Sequence, residues 1–244
     1  MERDLMEAVK ERCSNCPGRT VSICNVINDS DLPALVAESS RVIIPPGRCF
    51  IEEGTPARYF YVLTSGRVKL FNLMVDGRRQ IIGFADLGNF LGLASSETYE
   101  FTAEALGEAV LCRFSHSSID RLIERFPRLR GRLQKEASSE LVKMQSRLML
   151  LGRKTARERL ATFLMEQARP CCVYGKVWCN EDGPVTLSLP MSRTDIADYL
   201  GLTIETVSRT FSTFKKEGLI SIKGASSVTL LAVGSLNNLA NGML

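Results

Sequence analysis

Three thiols crowd into twelve residues near the start of the chain. Cys13, Cys16 and Cys24 are spaced C-x2-C-x7-C in RCSNCPGRTVSIC. The segment is short, polar and broken by Pro17 and Gly18, so no local apolar core accounts for them. Thiolates clustered on a loop are what a metal ion or an iron–sulfur centre takes as ligands, because a loop backbone can wrap around the ion. A cysteine-bearing arm that holds nothing is the alternative reading of this spacing. Three ligands leave a fourth to be found. Cys112, in the strand-like run AVLCRF, shares a face with Val110 and Phe114, and by itself reads as a small buried hydrophobe.

A second constellation lies in Ser192–Gly218, SRTDIADYLGLTIETVSRTFSTFKKEG. Ile196, Ala197 and Leu200 form one helical stripe, Gly201 breaks it, and Val207, Phe211 and Phe214 form a second at i, i+4 and i+7. Thr203 suits the N-cap of the second helix, since its hydroxyl can accept an orphan backbone N–H. Burying Val207, Phe211 and Phe214 turns Glu205, Ser208, Arg209 and Ser212 outward. An acceptor, short hydroxyls and a bidentate donor near a helix N-terminus are what a recognition helix offers to base edges. A helical hairpin with a solvated polar face is the alternative.

The remaining cysteines show no ligand pattern. Cys49 lies in the strand-like GRCFIEEG, and Cys171, Cys172 and Cys179 fall in the loop-like RPCCVYGKVWCNEDGP. His116, the single histidine, sits in SHSS before a helix and reads as a surface residue rather than a haem or zinc ligand.

These candidates need scaffolds. The chain has 244 residues, with 45% hydrophobic and 24% charged, enough for two modest cores. The net charge is only +4, and from Gly152 onward eleven Lys and Arg face eight Asp and Glu, a mild bias toward a polyanion. MERDLMEAVKERC lacks a signal-peptide core and no run of about 18 apolar residues occurs, so a cytoplasmic protein without a membrane partner is expected. In such a reducing compartment eight cysteines point to ligands, sensors or buried thiols rather than structural disulfides.

After a cysteine-rich arm (1–30), residues 31–126 read as short strands joined by Pro-Pro-Gly, Ser-Gly and Asp76-Gly77 turns. A long helix over 127–151 carries Leu133, Ala137, Leu141, Met144, Leu148 and Leu151 at spacings of four, four, three, four and three, a coiled-coil seam. Residues 152–244 open on the amphipathic GRKTARERLATFLMEQ and end in LISIKGASSVTLLAV, two strand-like pieces that read as a wing.

IADYLGLTIETVSRTFSTFKKEGLI resembles the DNA-binding signature of the CRP/FNR superfamily of bacterial transcription regulators, and Glu205, Ser208 and Arg209 resemble its FNR branch. The resemblance covers nearly the whole chain. It implies an α+β fold: an N-terminal β-roll (cupin-like) sensor domain, a long dimerisation helix and a C-terminal winged helix-turn-helix. It implies that Glu205 and Arg209 read the G·C pair of a TTGAT half-site, so that a homodimer grips a TTGAT-N4-ATCAA-like palindrome. Ile204 stands where the cAMP-receptor branch has an arginine, which argues against that branch's operator. The resemblance also makes Cys112 the fourth ligand, beside Cys13, Cys16 and Cys24, of an oxygen-sensing 4Fe-4S cluster. The implied partners are double-stranded DNA, a second copy of the chain and RNA polymerase. The nucleotide-binding members carry a Gly-Glu-x-x-Gly turn and a nearby arginine in the roll. Here GNFLG puts Asn89 in the glutamate's place and YEFTAE offers Glu100, which repels a phosphate, so no cyclic nucleotide is expected. In oxygen-regulated relatives charge repulsion at the centre of the long helix keeps the cluster-free chain monomeric, and Met144 supplies none.

Two rival regulators share this fold: one stabilised by zinc on the four cysteines, and one using the arm cysteines as a thiol–disulfide sensor with no metal. An enzyme is not expected, because the sequence offers no nucleophile–base pair and no phosphate-cradling loop.

Overall fold

The computed structural model describes residues 7, 9–93, 97–173, 183–224 and 226–243, which divide into two compact units, residues 1–142 and 143–244. In the first, two four-stranded antiparallel sheets face each other. One has the order β1 (Ser40–Ile44), β8 (Ala109–Ser115), β3 (Tyr59–Ser65), β6 (Phe90–Leu91). The other has the order β2 (Cys49–Ile51), β7 (Thr102–Ala105), β4 (Val68–Leu73), β5 (Arg79–Ala85). Strand alternation decides what lies between them: Leu63, Val68, Ala103, Ala105, Ala109 and Leu111 point inward into one buried core.

The first sheet is apolar on its outer face as well. Val62 of β3 and Phe114 of β8 belong to a second core with Cys13, Ile23, Cys24 and Ile27 of the arm, and Phe60 and Cys112 pack against it. The short helix α1 (Leu32–Ala37), the helix α2 (His116–Arg125) and Leu129 complete this layer. The sequence reading runs from arm to strands and omits α1, whose six residues are too few for a helical period to stand out. His116 is the first residue of α2, capped by the Ser115 hydroxyl, and is exposed with its ring 4.3 Å from that of Phe60. The long helix α3 runs Arg128–Arg153, one residue later at its start and two at its end than the sequence suggests.

The second unit is built on α4 (Ala156–Val173), whose Leu160, Ala161, Phe163 and Leu164 are buried. The backbone of Cys171 and Cys172 lies in its last turn rather than in a loop; their side chains, and all of Cys179, lie outside the described residues. Helix α5 (Arg193–Leu200) starts with a capping box between Ser192 and Asp195 and stops at Gly201, whose φ of 60° is left-handed. Helix α6 (Ile204–Lys216) follows, with Thr203 accepting the Thr206 N–H. A three-stranded sheet, in the order β10 (Ile220–Lys223), β11 (Ser227–Leu230), β9 (Val185–Ser188), forms the wing. The sequence reading finds two of these strands; β9 is four residues from PVTLSLP, where proline on both sides masks the alternation. Helix α7 (Val233–Ala240) closes the unit.

Two side chains orient these helices. Arg159 donates to Leu151 O (2.8 Å), Lys154 O (2.9 Å) and Leu200 O (2.9 Å), so one guanidinium satisfies carbonyls around the ends of α3 and α5. Arg147 stacks 4.0 Å over the Tyr199 ring, and the Tyr199 hydroxyl donates to Glu166 at 3.0 Å. Arg159→Ala should lower unfolding stability by roughly 2–3 kcal/mol, since charged hydrogen bonds to part-buried carbonyls are lost. Urea denaturation with an unchanged midpoint would show that these carbonyls find other donors.

Candidate functional site

On β8 the period of two sends Ala109 and Leu111 into the roll and Cys112 and Phe114 outward. Cys112 pairs with Arg41 of β1 and Val62 of β3, in the middle of the sheet rather than at its edge. The arm then brings its own cysteines over this spot. A π-helical turn at Lys10–Ser14 carries Cys13, and a tight turn at Ile23–Val26, capped by the Ser22 hydroxyl on the Cys24 N–H, carries Cys24. Ile23, Ile27, Leu35 and Val36 bury the flanks of this arm, at about 1.5–3 kcal/mol for each large apolar side chain.

Cys13, Cys16, Cys24 and Cys112 thereby line one recess of about 350 Å³, counting its open mouth, with Arg12, Arg19, Ser22 and Thr64 among its walls. All four are free thiols. Burial pushes the Cys24 thiol up to about 12, with the charges of Cys112, Cys13 and Cys16 adding to the effect. Burial likewise pushes Cys112 up to about 11, with Cys13 and Cys16 raising it further and Arg12 opposing. Cys13 rises for the same first reason. Three buried thiols that resist ionisation, with Cys16 beside them, form a donor set that a polycationic centre would relieve. Among the described residues no three His, Cys, Asp or Glu side chains gather tightly enough to hold a single metal ion. The thiols line a shared recess, and sulfur ligands of this kind are what a zinc ion or an iron–sulfur centre takes. Cys49 is exposed on β2, in the other sheet.

The arm is braced from two sides at Val21, between Cys16 and Cys24. A Cβ on Gly88, at φ +87°, would lie 2.6 Å from Val21 Cγ2, so only glycine lets the loop sit down on the roll there. From α3, Arg132 donates to Val21 O at 3.1 Å while paired with Glu136, and Leu133 packs against the arm's core. Arg132 was not a sequence candidate; its only signal was a cation among the charged residues flanking the seam. Farther along α3, Leu141, Met144 and Leu148 are 62%, 59% and 74% exposed, Ala137 is exposed and Leu151 half-buried. Leu133 thus belongs to the chain's own packing more than to an open seam.

In the second unit, Val207, Thr210, Phe211 and Phe214 are buried, and Thr203, Glu205, Ser208, Arg209 and Ser212 are all exposed. The Glu205 carboxyl is held below the usual carboxylate range by a backbone N–H and the Thr203 hydroxyl, with Arg209's charge adding to it. Ser212 turns its hydroxyl back onto Ser208 O at 3.0 Å, so its donor is engaged within the helix. The face therefore presents a fixed acceptor and a guanidinium one turn apart, the pair that can address cytosine N4 and guanine O6/N7.

Gly88→Ala tests the brace. Left-handed strain of about 1–2 kcal/mol, together with the clash on Val21, should lift the arm. Iodoacetamide should then alkylate Cys24 of the metal-free protein severalfold faster than in the wild type. An unchanged rate would mean that the roll does not hold the arm in place.

Residues 158–239 match the family described as Crp-like helix-turn-helix domain, and residues 41–126 that described as cyclic nucleotide-binding domain. The nitrogen fixation regulation protein FixK of Bradyrhizobium diazoefficiens is 38% identical, over 86% of this chain and 86% of its own. The transcriptional activator protein Anr of Pseudomonas aeruginosa is 33% identical over 99% of this chain and 96% of its own. The solved structure of FixK2 from Bradyrhizobium japonicum is similar with a TM-score of 0.74 at 34% identity, covering 82% of this chain and 96% of that one. With the roll, the long helix and the exposed reading face of α6, these likenesses make the chain a member of the CRP/FNR family, a DNA-binding transcription regulator and not an enzyme.

Proposed function

We propose that the chain is an oxygen- or redox-responsive transcription activator that holds a 4Fe-4S cluster on Cys13, Cys16, Cys24 and Cys112. In this reading it works as a cytoplasmic homodimer on a TTGAT-N4-ATCAA-like palindrome, with RNA polymerase as the further partner that activation requires. The observation that carries the reading is the convergence of four thiols on one recess. The names of similar proteins support its transcription-activator part: Anr, and the transcriptional activator protein FnrL of Cereibacter sphaeroides. When bound, a 4Fe-4S cluster supplies a redox-active centre whose stability depends on its sulfur ligands and their surroundings.

The chain's own residues supply the coupling. Ligation by Cys16 and Cys24 would fix the loop between them, and with it the Val21 carbonyl that Arg132 of α3 holds. Leu129 and Leu133 share the arm's core, so the start of α3 is ordered by the same packing that seats the thiols. Leu141, Met144 and Leu148 are the exposed apolar row that a second copy would cover, at about 1.5–3 kcal/mol for each side chain buried. A ligand that binds only the dimer-competent arrangement shifts the equilibrium toward it. Paired recognition helices about one DNA turn apart, roughly 34 Å, match a palindrome.

The roll serves as scaffold in this reading rather than as a nucleotide site. Asn89 accepts the Asp86 N–H at 2.7 Å where nucleotide-binding relatives would carry a glutamate, and Glu100 adds the wrong charge for a phosphate.

Anaerobic reconstitution with iron and sulfide tests the cluster. Wild-type protein should take up iron and acid-labile sulfide in equal amounts. Single Cys→Ser changes at 13, 16, 24 or 112 should lose most of both, and Cys49→Ser should lose neither. Colourless wild-type protein that retains stoichiometric zinc would overturn the assignment.

DNA reading is tested separately. Arg209→Ala should cost about 1–3 kcal/mol on the TTGAT-N4-ATCAA site and relax selection at the guanine. Ile204→Arg should move selection toward half-sites of the cAMP-receptor kind. Site selection at one fixed salt concentration checks both. Equal loss on every sequence would make Arg209 a phosphate contact only.

A further inference from the structure

The thiol-lined recess contains two guanidinium groups, and they are not equivalent. Arg19 is already paired: it meets the Asp29 carboxylate and donates to Ile27 O at 3.1 Å. Arg12 donates through Nη2 to Ser39 O at 3.1 Å and to Ser39 Oγ at 3.0 Å, both neutral acceptors. Its Nε is buried with no hydrogen-bond partner, and among the described residues no carboxylate pairs with it. A guanidinium partly withdrawn from water without an anion is unfavourable, and a donor left buried and unmade adds to that cost. The groups that line the recess with it and can become anionic are thiols, Cys13 and Cys112 among them. Arg12 also sits directly before Cys13, so the turn that seats the thiol fixes the guanidinium too.

We propose that Arg12 is the charge-compensating residue of the sulfur site, its half-buried guanidinium offsetting the negative charge of a cluster held by four thiolates and thereby setting its reduction potential. This rests on the iron–sulfur reading of the cysteine quartet. Four thiolates outweigh the cationic iron–sulfide core, so each added electron meets an anionic centre. A fixed positive charge nearby favours the reduced form, and its removal drives the potential negative. Because Arg19 already has Asp29, its removal should matter much less.

The full chain is reconstituted anaerobically with ferrous iron and sulfide as wild type, Arg12→Gln, Arg12→Lys, Arg19→Gln and Ser39→Ala. Iron, acid-labile sulfide, circular dichroism and the midpoint potential are measured for each. Arg12→Gln should shift the midpoint negative by a tenfold change in the oxidised-to-reduced ratio at fixed potential, about 59 mV for a one-electron couple. Arg12→Lys, which keeps the charge, and Ser39→Ala, which removes only the hydroxyl anchor and leaves the carbonyl, should stay near wild type. Arg19→Gln should shift far less than Arg12→Gln. Loss of the cluster from folded Arg12→Gln, with retention in Arg12→Lys, would equally support a charge role. Full loading of Arg12→Gln with an unmoved potential overturns the proposal alone, as does loss from both Arg12 variants or an equal shift in Ser39→Ala or Arg19→Gln. Wild-type protein that takes up neither iron nor sulfide overturns the cluster reading and this proposal with it.

Discussion

The sheet formed by β1, β8, β3 and β6 is apolar on both faces, and it cannot leave its outer face to water. Val62, Phe90 and Phe114 on that face need a cover, and the arm, α1, α2 and the first turn of α3 provide it. Everything proposed for the sensor follows from this covering. An arm held down by Ile23, Ile27, Leu35 and Val36 is fixed well enough to bring Cys13 and Cys24 over a strand cysteine about ninety residues away. The hydrophobic effect does the positioning, and the thiols ride on it.

The same layer explains why ligand chemistry at the arm can reach the long helix. Leu129 and Leu133 lie in the core that seats the cysteines, and Arg132 sits between them in sequence with its guanidinium on Val21 O. A change in how tightly the loop from Cys16 to Cys24 is held therefore acts on α3 through one hydrogen bond and one packed core. Part-buried charge–carbonyl bonds suit such a role, because their energy falls steeply when the partner moves. Past Ala137 the helix carries an exposed apolar row of Leu141, Met144 and Leu148, so its N-terminal part answers to the arm and that row is the part the proposed second copy would cover.

How much of this was legible in the sequence depended on whether the signal was periodic. The stripes of α5 and α6, the break at Gly201 and the alternation that puts Cys112 and Phe114 on one face are all repeats of 3.6 or 2, and they can be read without a structure. Short or flanked elements could not: α1 has six residues, and β9 lies between prolines. Nor could the roles of single long cations. Arg12, Arg132 and Arg159 look alike in sequence, as charged residues on helical segments. One lies among thiols with its Nε unsatisfied, one holds a loop carbonyl, and one gathers carbonyls at two helix ends. Those differences are set by chain segments distant in sequence.

Arg12 also shows why the sulfur site and its surroundings should be treated as one electrostatic object. Cys13, Cys24 and Cys112 resist ionisation because they are buried, and the guanidinium is badly placed for the opposite reason, lacking a carboxylate among the described residues. Each fault would be relieved by the other if the sulfurs carried charge. A site whose charges balance only when its ligands are thiolates is stable in the loaded state and strained in the empty one. In the proposed reading that imbalance favours loading, and loss of the centre would leave an arm whose part-buried charge no longer matches its neighbours. The loop that Arg132 holds is then the part of the layer with least reason to stay in place.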